Sequence, residues 1–212
     1  VAGSWSSGGN LNTANYGGTG LGSQNAALSI GGQNTGAPYP KTTVEKYNGT
    51  SWTAAPSLNT TRAFYAATNG TGTQTAGLIF GGATNPWATL VNATESFNGS
   101  AWTTVPGTLN TARGGVSGSI AGSQTATLAF GGETTVVLSS SESYNGTSWT
   151  NTPSLNTARQ GAASAGTQTA ALIFAGYLPP GTTATESWNG SAWTTVNATN
   201  TARFYLGGAG LQ

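Results

Sequence analysis

The chain has 212 residues, of which six are Lys or Arg and five are Glu, and its formal net charge is +1. Nucleic-acid binding needs a basic surface, so this sparse charge, without any run of Lys or Arg, argues against a nucleic-acid partner. His, Cys and Asp are absent, which excludes the Ser-His-Asp triad, the Cys-His pair and the usual zinc sites. No apolar run approaches the roughly 18 residues of a membrane span. The composition therefore predicts no catalytic residues, no metal, no cofactor and no membrane span.

A repeat runs through the chain and orders the predicted elements. Its markers are Trp5, Trp52, Trp102, Trp149 and Trp193, which are separated by 47, 50, 47 and 44 residues. A period in the forties with Gly-Gly and Trp signatures is typical of β-propeller blades. We therefore expect one all-β repeat domain over 1–212, a β-propeller of four-stranded antiparallel blades. The predicted units are 1–10 (last strand of a partial blade), 11–57, 58–108, 109–154 and 155–198 (full repeats), and 199–212 (first strand of a partial blade).

Each full repeat divides into four short strands, as the third repeat illustrates. Its first strand is expected over 114–120 and its second over 125–132, where the sequence reads TATLAFGG. The third strand carries Glu142 and Tyr144, and the fourth carries Trp149. Between them lies Asn145-Gly146, a dipeptide that favours a type I′ hairpin turn because Asn and Gly both tolerate positive φ. The phrase ESYNGTSW recurs with small edits in every full repeat, so we expect its two aromatic residues to pack in the blade interfaces.

Charged residues recur with the same period. Each Glu of the repeated phrase precedes an Arg by 17 or 18 residues, whereas the first repeat has Asn15 at the Arg position. This spacing predicts four structural ion pairs, each of which would link the third strand of one blade to the start of the next. The predicted pairs are Glu45–Arg62, Glu95–Arg113, Glu142–Arg159 and Glu186–Arg203.

Candidate binding residues are sought where the repeats differ, because invariant positions serve the common frame and variable loops are free to recognise a partner. The loop after the second strand varies most, and it carries the aromatic residues Tyr39, Trp87 and Tyr177. A second variable position follows the Arg of each repeat, for example Gln160 and Phe204-Tyr205. In an up-and-down blade these positions share one rim. Aromatic rings among Asn, Thr and Gln would suit a sugar ring, although loop aromatics often pack only their own loop.

The repeat resembles a kelch repeat in its Gly-Gly pair, the aromatic residue that follows a dozen or more residues later, and the Trp after that. It differs from the usual kelch pattern by Asn-Gly after the aromatic residue and by Ala175-Gly176 in the fourth repeat. The sequence pattern LNTAR…GTQTA…FGG…ATESYNGTSWT is similar to kelch-like arrays in tail-fibre and other virion-associated proteins of aquatic bacteriophages. This resemblance covers nearly the whole chain. It implies a propeller fold and a place in a virion or other extracellular assembly.

Three functions follow as hypotheses. The first is a non-enzymatic structural or receptor-facing module of such an assembly, the second is a glycan-binding lectin, and the third is a protein-interaction scaffold. The incomplete units at the two ends of the array leave three alternatives for how the ring closes. The alternatives are a piece of a longer propeller, a small ring with an incomplete closing blade, and a protomer completed by neighbours. An open blade edge invites pairing with another chain, so we expect a homo-oligomer or part of a larger assembly, with a surface glycan or host receptor as partner.

Overall fold

The computed structural model describes residues 7–34, 41–63, 70–84 and 89–212. Within these residues sixteen β-strands form four antiparallel four-stranded sheets. The same residues contain no helix, and hence none that is long and apolar enough to cross a membrane. Each sheet takes its strands in chain order, so every connection inside a sheet joins neighbouring strands. The sheets are the blades of a four-bladed β-propeller, which confirms the predicted fold class.

The strand bounds follow the repeat. Blade 1 contains β1 (Thr19–Ser23), β2 (Ala26–Ile30), β3 (Val44–Tyr47) and β4 (Trp52–Ala55). Blade 2 contains β5 (Gly70–Thr73), β6 (Ala76–Phe80), β7 (Thr94–Phe97) and β8 (Trp102–Val105). Blade 3 contains β9 (Ser117–Gly118), β10 (Thr127–Phe130), β11 (Ser141–Tyr144) and β12 (Trp149–Thr152). Blade 4 contains β13 (Ala163–Gly166), β14 (Ala171–Phe174), β15 (Thr185–Trp188) and β16 (Trp193–Val196).

The Gly-Gly pair ends the second strand of a blade and ties it to the next repeat. In blade 3, Gly131 and Gly132 adopt φ values of 65° and 100°, in a region that side-chain-bearing residues rarely occupy. The chain therefore leaves the sheet at this point. The Gly132 N–H then donates to the carbonyl oxygen of Arg159 at 2.9 Å, which places the start of the fourth repeat beside blade 3.

The hairpin between the third and fourth strands differs from the predicted type I′ turn. Tyr144 pairs with Trp149 in the sheet, which leaves a four-residue loop instead of two central turn residues. Gly146 has a φ of 94°, but Asn145 is not among the residues with positive φ. Its Oδ1 instead accepts the N–H groups of Thr147 and Ser148, each at 2.9 Å. Asn is required here as a hydrogen-bond acceptor rather than for its tolerance of positive φ.

The hydrophobic core is divided among the interfaces between blades. Trp149 of blade 3 packs edge-on against Phe80 of blade 2, with ring centroids 4.9 Å apart, and lies 5.0 Å from Tyr144 of its own blade. Phe130 and Trp193 make the same edge contact between blades 3 and 4. The prediction that the repeated aromatic residues pack at blade interfaces is thus confirmed for these repeats. Trp5 lies outside the described residues.

Three ion pairs are buried, but they are not the pairs that the spacing predicted. Each Arg contacts the Glu that follows it in its own repeat: Arg62–Glu95 at 2.8 Å, Arg113–Glu142 at 2.9 Å and Arg159–Glu186 at 2.5 Å. The reason is that the Arg precedes the first strand and its side chain reaches across the sheet to the third strand of the same blade. The second carboxylate oxygen accepts a backbone N–H from the Asn three residues before the Arg, namely Asn59, Asn110 and Asn156. The pair therefore fixes the entry into its own blade.

The two remaining charges of the pattern have no ion-pair partner among the described residues. Glu45 accepts the backbone N–H groups of Asn12 and Thr13, at 2.9 and 3.2 Å. Asn15, at the Arg position, donates to the Gly31 carbonyl, as Arg62 does to that of Gly81 in the next repeat. Arg203 is exposed. The predicted pairs Glu45–Arg62 and Glu186–Arg203 are therefore wrong, as are the two between them.

The Gln of the turn after the first strand links blades 2, 3 and 4 each to the preceding blade. Gln168 of blade 4 donates to the Tyr144 carbonyl at 2.6 Å and to Ser143 Oγ at 2.9 Å in blade 3. Gln74 and Gln124 bond to blades 1 and 2 in the same way. Gln212 donates to Ser187 Oγ, which is the corresponding position of blade 4. The segment 199–212 has no strand, but it lies where a following blade would begin.

Candidate functional site

One rim of the propeller is formed by short backbone bridges between the two variable positions of each repeat. The residue after the Arg position pairs with the residue after the Gly-Gly position, within every repeat. The pairs are Tyr16–Gln33, Ala63–Ala83, Gly114–Glu133 and Gln160–Tyr177. We call these pairs, the described residues of the loops that follow them and Phe204-Tyr205 the rim. The rim thus presents different side chains in each blade on an identical backbone frame.

The opposite face carries repeated residues. The turns after the first strands lie beside the Asn-Gly loops, since a side chain on Gly99 would approach Thr75 and one on Gly146 would approach Thr125. The up-and-down arrangement predicted from the sequence is therefore present, with variable positions on one face and constant turns on the other.

The backbone near the axis of the rim follows one pattern. The second residue after the Arg position has positive φ, with values of 63° at Gly17, 56° at Gly115 and 55° at Gly161. Tyr205 occupies the same position after Arg203 and has a φ of 54°. Its N–H donates to the Gly161 carbonyl, just as that of Gly161 donates to the Gly115 carbonyl. A bulky side chain thus occupies a position that Gly fills in the first, third and fourth repeats, at a cost in backbone strain. The second repeat has Phe64 at this position, which lies outside the described residues.

A polar pair lies beside this backbone and joins blades 3 and 4. Gln160 Nε2 donates to Glu133 Oε2 at 2.5 Å, while Glu133 Oε1 accepts no hydrogen bond from the described residues. Burial raises the pKa of Glu133 above its ordinary value, and the hydrogen bond from Gln160 opposes this effect. Glu133 is the one acidic residue that stands outside the repeated Glu position.

Three aromatic rings adjoin the polar pair, and we call them the aromatic platform: Tyr177, Phe204 and Tyr205. Tyr177 and Phe204 are edge to face with centroids 5.2 Å apart, and Phe204 and Tyr205 are edge to face at 5.3 Å. Tyr205 lies over Gly161, where a Cβ would come within 2.5 Å of its ring. Phe204 and Tyr205 remain 45% and 50% exposed. Burial, and then the charges of Glu133 and Tyr177, raise the pKa of Tyr205.

The candidate residues from the sequence have different outcomes. Tyr177 lies in the aromatic platform, whereas Tyr39 and Trp87 lie outside the described residues. Gln160 and Phe204-Tyr205 belong to the second variable position noted in the sequence, and the structure brings them together with Tyr177. Glu133 was not a candidate. The signal that could have found it is its place outside the repeat, directly after a Gly-Gly pair.

A cavity lies away from the rim pairs of blades 3 and 4. It has a volume of about 950 Å³ and is lined by blade 1, including Leu21 and Trp52, by Ile120, and by residues 208–211. None of the described residues that line it is charged. In the other blades the position of Trp52 is covered by a preceding blade, so this cavity lies at the exposed edge of the first blade.

No model of a known protein family and no curated protein matches the chain. The four-bladed propeller therefore stands on the structure alone, and the kelch and bacteriophage resemblances stay predictions from the repeat.

Proposed function

We propose that this propeller is a non-enzymatic recognition module of a virion or other extracellular assembly, which displays the rim to a partner surface. The observation that carries the proposal is that the rim residues vary between repeats, whereas the residues that hold the blades together recur. The buried ion pairs and the inter-blade Gln residues repeat in blades 2, 3 and 4, and the Asn-Gly loops repeat in all four blades. The bridged rim positions, in contrast, differ in every repeat. A rigid scaffold with variable surface positions suits recognition.

The use of the carboxylates supports a non-enzymatic role. Three of the five Glu residues are held in buried ion pairs, and Glu45 is held by backbone N–H groups. Only Glu133 remains, and acid-base hydrolysis of the common kinds uses two groups with opposed roles. The sparse charge and the Thr- and Asn-rich sequence suit a neutral structural part of a particle better than a charge-guided cellular scaffold.

The exposed edge of blade 1 supports a place in a larger assembly. Trp52 is only partly buried, while Trp102, Trp149 and Trp193 are each buried against the preceding blade. A second groove of about 470 Å³ runs along this edge beside Val44 and Trp52. Apolar edges of this kind are commonly covered by another chain or another part of the same protein.

A cell-adsorption assay with two matched variants tests the proposal. The rim variant carries Tyr16→Ser, Val136→Ser and Phe204→Ser, which replace exposed apolar residues of the rim. The opposite-face variant carries Thr75→Ala and Thr125→Ala, which lie in exposed turns. We expect fluorescently labelled protein to adsorb to a subset of a bacterial panel, and only the rim variant to lose adsorption. Adsorption that is unaffected by the rim variant, or no adsorption to any strain, would overturn the proposal.

A further inference from the structure

We propose that the aromatic platform, together with Glu133 and Gln160, is a binding site for a neutral sugar residue. The inference rests on the proposed function, since it names the ligand class that this part of the rim would recognise. The platform would stack on the apolar C–H face of the sugar, and the carboxylate and the amide would bind its hydroxyl groups.

The arrangement of the rings favours a flat ligand that stacks on the platform. Both ring pairs are edge to face, with centroids 5.2 and 5.3 Å apart, so the rings touch one another and enclose no space between them. A quaternary ammonium ion is held by rings that surround it, each within about 6 Å of the cation. The platform is therefore a surface with two half-exposed rings rather than a cage.

The polar groups beside the rings select among flat ligands. Glu133 Oε2 is held by Gln160, and Oε1 accepts no hydrogen bond from the described residues. A carboxylate at the edge of the platform disfavours anionic ligands by charge repulsion, and it disfavours purely apolar ligands because they would cover it without a hydrogen bond. A sugar hydroxyl is a neutral donor that satisfies this oxygen. The site thus combines an apolar surface with an available acceptor, as a sugar ring requires.

The conformation of Tyr205 indicates that its ring is kept for a reason other than folding. Its φ of 54° is one that Gly17, Gly115 and Gly161 adopt without strain at the same repeat position. Strained side-chain-bearing residues of this kind concentrate at ligand-binding sites. The ring is also held in place before any ligand arrives, by Gly161 below it and Phe204 beside it, which lowers the entropy cost of binding.

The repeat itself supplies a test variant that should fold. Tyr205→Gly introduces the residue that the first, third and fourth repeats carry at the equivalent position, so it removes the ring and relieves the backbone. Tyr205→Phe keeps the ring without its hydroxyl group. Val196→Ala removes an apolar side chain that is 40% exposed on the outermost strand of blade 4, outside the rim. Thermal melts of all three variants confirm folding before binding is measured.

Binding is measured on an array of neutral oligosaccharides that end in hexoses or N-acetylhexosamines, followed by titration with the best of them. We expect wild-type protein and Val196→Ala to bind alike, and Tyr205→Gly to bind at least roughly tenfold more weakly. Tyr205→Phe should retain most of the affinity because stacking is preserved.

Three results would overturn the sugar site. Sugar binding that survives Tyr205→Gly would place the sugar elsewhere on the protein. Binding of choline or a trimethyl-lysine peptide in place of sugars would reassign the platform to cations. An absence of binding on the whole array, with rim-dependent adsorption to cells intact, would refute the ligand class while leaving the proposed recognition function in place.

Discussion

Glu142→Gln tests the buried ion pair of blade 3, where the structure allows the energetic cost to be worked out. Glu142 Oε1 accepts from Arg113 Nη2 at 2.9 Å, and Oε2 accepts from the Asn110 N–H at 2.7 Å. Gln keeps the shape and one acceptor, but it leaves the fully buried Arg113 guanidinium without a countercharge. Burial already lowers the pKa of Arg113, an effect that the charge of Glu142 opposes.

Removing one member of a buried ion pair costs about 3–5 kcal/mol of unfolding free energy. For a domain of this size each kcal/mol lowers Tm by roughly 2–4 °C, so we expect the Tm of Glu142→Gln to fall by roughly 6–20 °C. Thermal melts followed by circular dichroism, with urea unfolding as a second measure, give the difference.

The first repeat provides the matched control. Glu45 has the same strand position in blade 1 but no Arg partner and is partly exposed, so Glu45→Gln should cost only about 1 kcal/mol. Arg113→Met added to Glu142→Gln removes the unpaired charge and should recover much of the loss. Equal Tm values for Glu142→Gln and Glu45→Gln would refute the reasoning, because they would mean that the buried countercharge contributes nothing.

Two further predictions concern the fastening of the blades and the pH dependence of stability. Gln168→Ala removes three hydrogen bonds to blade 3 and should lower the unfolding free energy by about 1–3 kcal/mol. The control is Gln24→Ala, which should change the unfolding free energy little because Gln24 is exposed and has no partner among the described residues. Equal losses of unfolding free energy in urea for the two variants would contradict this prediction. The pKa of Glu133 is raised in the folded state, so its ionisation opposes folding, and stability is lost as the pH rises through that pKa. Glu133→Gln should therefore match wild type near about pH 4 and melt at a higher temperature at pH 7, and a variant that melts lower at pH 7 would count against the pKa shift.

Much of the repeated structure of the blades follows from the local sequence. The Trp period, the apolar runs that end in Gly-Gly, and the Asn-Gly loops each act over a few residues, so the four-stranded antiparallel blades and the interface aromatics could be predicted from the sequence. Trp149 illustrates this, since its burial against Phe80 repeats in Trp193 against Phe130. A structural feature that recurs in each repeat and depends only on nearest neighbours can be predicted from the sequence.

Contacts between distant residues could not be read in this way. The spacing of Glu142 is compatible with Arg159 seventeen residues later or with Arg113 earlier in the chain, and only the crossing of the Arg side chain beneath its own sheet selects Arg113. The same holds for the rim. Tyr177, Phe204 and Glu133 come from successive repeats and meet because the blades curve about one axis, so their proximity depends on packing between blades and has no signature in the local sequence.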